Sequence, residues 1–387
     1  MKCAVVTSTS PDIASSLDGL IQRLQDGLGT DSPDLVVVYF TPHHAADASL
    51  IRERLLERLA PQVLMGCPAV GVIGEHVEME NGSGLSLWGA SWPGVELRSF
   101  HLSAGDSDVP DVTGWPDDIP EGAGVMLLSD PYTTPPDQLL GGFHERHPQS
   151  VVVGGMASGS SGPGDANLIT NDRVYDEGTI AVAISGSVTL DPVVSQGCRP
   201  VGSHYVVTKA DRNAILSLGG KPALAALQQL SAELAPADQE LMRAGALSVG
   251  RVIDERKSHF ERGDFLVRNL MGVEPEAGAL LVGDMVRAGQ TIQFMVRDAD
   301  AASEELASLL DREAAKPTPV GAMLFSCNGR GSRLFDRPHH DIEGLQSALG
   351  EVPTAGFFAA GEIGPVGGQP FLHGFTASIA LFRENAG

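Results

Sequence analysis

Positive charge is scarce in this sequence. Against 49 Asp and Glu stand 26 Lys and Arg, a formal net charge of −23, and the basic residues form no run. A surface that holds nucleic acid or anionic lipid needs the opposite sign on at least one face, so neither partner is expected. No apolar stretch approaches the roughly 18 residues of a membrane span. The one after Met1-Lys2 is too short for a signal peptide, so membrane insertion is not expected either. Cysteine is sparse as well. Cys3, Cys67, Cys198 and Cys327 lie far apart with no paired spacing, which argues against a disulfide framework or a zinc knuckle and for a reduced, cytoplasmic protein.

The common catalytic signatures are also missing: no G-x-x-x-x-G-K-[ST] phosphate loop, no H-E-x-x-H and no G-x-S-x-G elbow. Pro42-His43-His44 with Asp47, and Pro338-His339-His340 with Asp341, resemble metal-binding clusters. Adjacent histidines diverge, however, and each Asp stands where a helix N-cap belongs, so no metal is expected. Haem on a lone histidine stays open, although the surroundings of His204 and His259 offer it no support.

An ordinary globular balance is what remains. Hydrophobic residues make up 42% and charged residues 19% of 387, ample for a buried core. At about 100–200 residues per domain, the length suits two domains or one large one.

An internal repeat organises the chain. Asp34–Phe40 reads as a strand, followed by a helix over 48–59 whose apolar positions recur every three or four residues. Then come strand Val63-Leu64-Met65, a glycine turn Gly66–Gly71 and strand Leu85–Trp88. A second copy runs Val125–Leu128, a helix near 136–145, Val151–Gly159 and Thr179–Ile184. A third runs Ala322–Cys327, a helix near 341–349, Gly356–Gly364 and Phe375–Phe382. The separation from first to last strand is 85−35=50, 179−125=54 and 375−322=53 residues, a near-constant period that points to duplicated units. Continuous apolar strands of this kind are covered on both faces. The fold class expected is α/β (α+β): layered sheets covered by helices, built from repeated strand–helix–strand–strand units. Between the second and third copies, residues 196–318 contain strands Tyr205–Thr208, Phe265–Leu270, Ala279–Val282 and Thr291–Val296, with helices near 222–233 and 300–313. The domains are therefore set at 1–195 and 196–387, and residues 103–122 read as a surface loop.

Cys327-Asn328-Gly329-Arg330-Gly331 gathers a thiol, an amide and a guanidinium at the end of a buried strand. The Arg fork suits a carboxylate, and a thiol beside it is a candidate for a lowered pKa. Glu362, in Gly361-Glu362-Ile363-Gly364, has apolar neighbours and must be paired or titrate abnormally. It suits a ligand amine, or the charge of an Arg such as Arg268 or Arg330. Together Cys327, Asn328, Arg330 and Glu362, with Arg268 or Asn269, are expected to line a pocket for a zwitterionic metabolite. Cys67 and Cys198-Arg199 repeat the pattern more weakly, a lone cysteine being commonly a small core residue. If the copies share an axis, the three glycine turns converge; the alternative is plain hairpin punctuation.

Several segments together resemble the FIST family: Gly66–Gly74, Gly154–Gly159, Gln196–Gly202, Gly219–Leu224, Phe265–Leu270, Cys327–Gly331, Phe357–Gly364 and His373–Ala377. They cover nearly the whole chain in order, as a FIST N-terminal domain followed by a FIST C-terminal domain. The resemblance implies an intracellular sensory protein for small ligands such as amino acids or their derivatives, of the kind found in bacteria alone or joined to signalling modules. Some relatives are linked to haem and nitric oxide. With the chain used up by the FIST pair, the resemblance implies a separate signalling partner. It carries no catalytic motif. An enzyme using Cys327 or a turn serine as nucleophile, and a protein-interaction scaffold, are the alternatives to a sensor.

Overall fold

In the computed structural model, residues 1–105, 111–257, 259–260 and 262–385 are described. The apolar run Leu35–Phe40 is buried at all of its positions, as the double coverage of its sheet requires. The first copy comprises β1 (Lys2–Ser8), α1 (Ile13–Leu28), β2 (Leu35–Phe40), α2 (Ala48–Leu59), β3 (Val63–Pro68), β4 (Val72–Gly74), β5 (Val77–Met79) and β6 (Leu85–Ser91). The second comprises β7 (Val95–Ala104), β8 (Val112–Thr113), β9 (Gly124–Ser129), α3 (Pro136–Arg146), β10 (Val151–Met156), β11 (Leu168–Thr170), β12 (Val174–Tyr175) and β13 (Thr179–Gly186). The third opens with β14 (Val188–Ser195).

A separate segment then intervenes: β15 (Cys198–Asp211), β16 (Ala214–Leu218), β17 (Lys221–Pro222), α4 (Ala223–Glu233), α5 (Pro236–Arg243), β18 (Leu247–Val252), β19 (Phe265–Glu274), β20 (Ala279–Val282), β21 (Thr291–Arg297) and α6 (Ala299–Ala314). The third copy resumes with β22 (Gly321–Cys327), α7 (His340–Leu349), β23 (Thr354–Ala359), β24 (Gly361–Val366), β25 (Gln369–His373) and β26 (Ala377–Glu384). The chain forms two compact units, Met1–Ser195 with Leu306–Leu372 and Thr376–Gly387, and Gln196–Glu305 with His373–Phe375. All three copies thus belong to the first unit, apart from His373 at the end of β25. In the second, β15 pairs with both β21 and β16, closing the order β15-β21-β18-β19-β20-β16 into a barrel.

The copies share one topology. The central strand runs parallel to the strand after its helix and antiparallel to the last strand: β2 between β3 and β6, β9 between β10 and β13, β22 between β23 and β26. The strands β1, β7 and β14 flank the last strand in turn. Each hairpin leaves its own copy. The first, β4–β5, joins β23 of the third; β11–β12 joins β3 of the first; β24–β25 joins β10 of the second. These exchanges close a ring, and the three sheets share one core containing Tyr39, Met65, Met126, Leu168, Phe325 and Phe357.

Register sets the equivalences. Gly66, Gly154 and Gly356 lie opposite Val38, Leu127 and Leu324 on one side, and opposite Ile169, Ile363 and Ile73 on the other. A Cβ on any of the three would sit 1.9–2.3 Å from the carbonyl oxygen of its partner on the central strand. These glycines are therefore strand residues packed against backbone. The glycine turns expected at Gly66–Gly71 and Gly154–Gly159 begin only after Pro68 and Met156, and Gly361–Gly364, expected as a turn, belongs to β24. Past those points the turns do converge. Gly159 N donates to Pro68 O (3.2 Å), Ala360 N to Met156 O (3.0 Å) and Phe358 N to Gly71 O (3.0 Å), each bond joining two copies. Ser158 Oγ accepts from Val70 N and donates to Phe358 O, tying all three together.

Two local expectations are corrected. The loop expected at 103–122 is partly sheet, because β8 pairs back on the end of β7; residues 106–110 lie outside the described residues. Asp47 stands at the α2 N-cap but its side chain caps nothing, since the preceding residues wind into a 3-10 turn.

Candidate functional site

The third copy differs from its siblings at the end of its central strand. Between central strand and helix, the first two copies use residues 41–47 and 130–135, whereas the third uses the longer segment 328–339. Within it, Gly331 adopts φ +58, and a Cβ there would lie 2.7 Å from the Glu80 carboxylate. Glu80 also accepts bonds from Ser332 N (2.8 Å) and Ser332 Oγ (2.6 Å). Glycine and Glu80 together fold the loop back on itself, which aims Arg330 inward.

Arg330 is fully buried, and its fork is closed on Asp341: Nε to Oδ2 at 2.8 Å and Nη2 to Oδ1 at 2.7 Å. Ser326 Oγ donates to the same carboxylate (2.8 Å), and His340 Nδ1 lies 2.9 Å from Oδ1. His340 in turn stacks on Phe335, with ring centroids 3.4 Å apart. Burial works against the Asp341 charge, but Arg330 more than offsets it and holds the carboxyl below the usual range. Asp341, expected as a cap for α7, is instead the counter-ion of Arg330; the N-cap position is His339. The cap comes from another copy. Glu78 of β5 accepts from Asp341 N and Ile342 N, both at 3.0 Å, while its Oε2 has no hydrogen-bond partner among the described residues. Burial first, and Asp341 second, push the Glu78 carboxyl up to about 8.

Glu362 lies beside this cluster, on β24 opposite Gly155. By register its equivalents are Val72 and Leu168, both fully buried, so the third copy places a carboxyl where the others place a hydrocarbon. Its Oε2 accepts from Thr376 N (3.1 Å), and Oε1 has no partner among the described residues. Burial raises this carboxyl well above the ordinary range, against the opposing pull of Thr376 N–H, the Arg330 charge and the Cys327 thiol. Cys327 is buried at the end of β22, and Asn328 N donates to Ala359 O (2.9 Å). Cys327, Asn328, Arg330 and Glu362 thus share one corner of the first unit.

Most of the chain matches known domains: residues 34–221 the FIST N domain and residues 223–365 the FIST C domain. The chain belongs to the FIST family. An uncharacterized protein of Mycobacterium tuberculosis is 39% identical to it over 99% of this chain and 100% of its own length. Another, from Mycobacterium bovis, is 37% identical over 100% of both. A solved cyanuric acid hydrolase spans 100% of both chains at 11% identity, but with a TM-score of 0.27 the likeness is slight. FIST domains suggest a sensory role in signal transduction.

The other candidate residues of this FIST protein have local partners. Cys67 is fully buried in the shared core, and burial holds its thiol well above the ordinary range. In the second unit, Cys198 packs with Val252, Phe265, Val267 and Met295, as a small hydrophobe does. Arg199 is ion-paired with Asp238 and with Asp298 (2.8 Å). Arg268 and Asn269 are adjacent on β19; Arg268 lies 3.4 Å from Asp284, and Asn269 is exposed. None of the four cysteines is in a disulfide. Among the described residues no helix is long and apolar enough to cross a membrane. Sequence reasoning missed Asp341, Ser326 and Glu78 as members of the cluster. The long segment after Cys327, compared with its shorter counterparts, is the signal that pointed there.

Proposed function

We propose that this FIST protein is a sensor whose small ligand, an amino acid or a derivative, presents its amino group to Glu362. One observation carries the reading: a fully buried carboxyl with a vacant acceptor oxygen stands where two equivalent positions are hydrocarbon. An unsatisfied buried polar atom costs about 1–3 kcal/mol, a penalty that a ligand amine against Oε1 would relieve. An ammonium placed against Glu362 favours the ionised carboxylate, so binding and loss of the buried proton are coupled. Arg330 is committed to Asp341, yet its charge and the Asn328 amide suit the carboxylate end of the same ligand. The response then passes to a separate signalling protein.

A thermal-denaturation panel of the standard amino acids and their decarboxylated amines tests this. At least one compound should raise the Tm of the wild type and leave Glu362→Val unmoved. A panel without any rise, or one in which every compound that raises the Tm of the wild type raises that of the variant equally, contradicts it. The thiol beside Glu362 and Arg330 supports a nucleophile as a second reading; rapid, selective alkylation of Cys327 by iodoacetamide would favour that reading over the sensor.

A further inference from the structure

The ring of exchanged hairpins has three junctions, and one of them is open. At the residue after Ile73, Ile169 and Ile363, the copies carry Gly74, Thr170 and Gly364. A Cβ at Gly74 would lie 2.5 Å from Ser86 Oγ and 2.6 Å from Thr7 Cγ2. At Gly364 it would lie 2.6 Å from Val194 Cγ2 and 2.7 Å from Ser378 Oγ. In both places the hairpin backbone rests directly on a paired couple of the next sheet, Thr7 with Ser86 or Val194 with Ser378. The equivalent couple at the remaining junction is His101 with Ile180. There the hairpin carries Thr170 in place of glycine, and the facing pair is bulkier. The sheets stand apart around a cavity of about 290 Å³, near the lower bound of ordinary small-molecule sites.

We infer that this cavity is a second ligand site, for a compact one-ring amine that lacks a carboxylate. Leu64, Met65, Phe100 and Ile180 supply an apolar floor large enough for one ring. Asp172 is the one carboxylate or permanent cation among the lining residues, and it is fixed in place. Thr170 Oγ donates to its Oδ1 and Tyr175 OH to its Oδ2 (2.9 Å). Burial opposes ionisation of Asp172, but these two bonds prevail and keep it below the usual range. The Tyr175 ring is itself stacked on His101, with centroids 3.8 Å apart, and the Arg173 guanidinium sits 4.2 Å from its centre. Arg52 Nε holds Thr170 O at 2.9 Å, and Asn171 bonds Leu64 N (2.7 Å) and Pro61 O (3.1 Å). The site is therefore organised before any ligand arrives, which lowers the entropy lost on binding. Apolar side chains beside one exposed, hydrogen-bonded carboxylate favour a cation carried on an apolar body, and a ligand carboxylate would meet Asp172 as a like charge.

Titration calorimetry of the full chain with 2-phenylethylamine, and with phenylacetate as the same ring bearing the opposite charge, tests the inference. The amine should bind saturably and phenylacetate at least tenfold more weakly. Asp172→Asn should weaken the amine at least tenfold, and Ser99→Trp, at an exposed lining position, should abolish binding while the variant melts as the wild type does. Glu362→Val should bind the amine unchanged, which separates this site from the one proposed above. Absence of saturable amine binding, equal binding of phenylacetate, or binding that survives both cavity variants and disappears in Glu362→Val would each overturn it.

Discussion

Replacing Glu362 by Gln keeps the shape and the acceptor for Thr376 N–H while removing the titrating proton, so it isolates what that carboxyl does to stability. In the unfolded chain Glu362 ionises near 4.5; in the folded protein its pKa is raised well above that by burial. Between these two values the folded state holds one proton more than the unfolded state, so stability falls as pH rises. The loss is one proton's worth, about 1.4 kcal/mol per pH unit, beginning above 4.5 and ending where the folded carboxyl itself ionises. The Gln variant lacks this contribution. Its stability relative to wild type should therefore climb by about 1.4 kcal/mol per pH unit from pH 5 upward, after starting near parity at pH 4.5. Denaturant titrations followed by tryptophan fluorescence provide the assay, because Trp88, Trp92 and Trp115 all belong to the unit that contains Glu362. If the two stability curves run parallel from pH 4.5 to 8, Glu362 is not a buried neutral acid and the reasoning fails.

Other perturbations have defined outcomes. Asp341→Ala strands the fully buried Arg330 charge and should destabilise the first unit by about 3–5 kcal/mol, whereas the double replacement Arg330→Met with Asp341→Leu should cost much less than the sum of the two single changes. Glu78→Gln should remove a second pH-dependent loss of stability. Its folded carboxyl is raised to about 8, so the wild type weakens between pH 4.5 and 8 and the variant, which still caps α7, weakens less over the same window. Gly154→Ala should unfold the protein or lower its Tm sharply, since the new Cβ would meet Leu127 O at 2.1 Å; Gly141→Ala, with nothing within 4 Å, should be neutral or slightly stabilising by the same melting assay.

The parts of the fold legible in the sequence are those with strong periodicity. The helix expected around residues 48–59 is α2, and the three strand–helix–strand units recur because their buried strands are uninterrupted apolar runs. The helix α1 passed unnoticed although Asp12 caps it and Gly29 ends it, because it lies outside the repeated period. The hairpin exchange was not legible at all. Strands as short as Val72–Gly74 and Leu168–Thr170 have too few residues to show a pattern, and their partners lie in other copies. In the site, Cys327, Arg330 and Glu362 stood out as polar residues against apolar strands. The counter-ion of Arg330, Asp341, and the acceptor at the start of α7, Glu78, did not, since such contacts depend on how a loop folds back and not on sequence distance.

Glu362 is the group proposed to meet the ligand, and carbon-13 NMR of the protein labelled at glutamate Cδ reads its protonation state on binding. The spectrum is taken at pH 5.5, with and without the compound that raises the Tm of the wild type but not of Glu362→Val, and the resonance is assigned by its absence in Glu362→Gln. A neutral-acid resonance should move to the carboxylate position as the compound saturates the protein. A resonance already at the carboxylate position, or one that stays unmoved at saturation, contradicts the proposal.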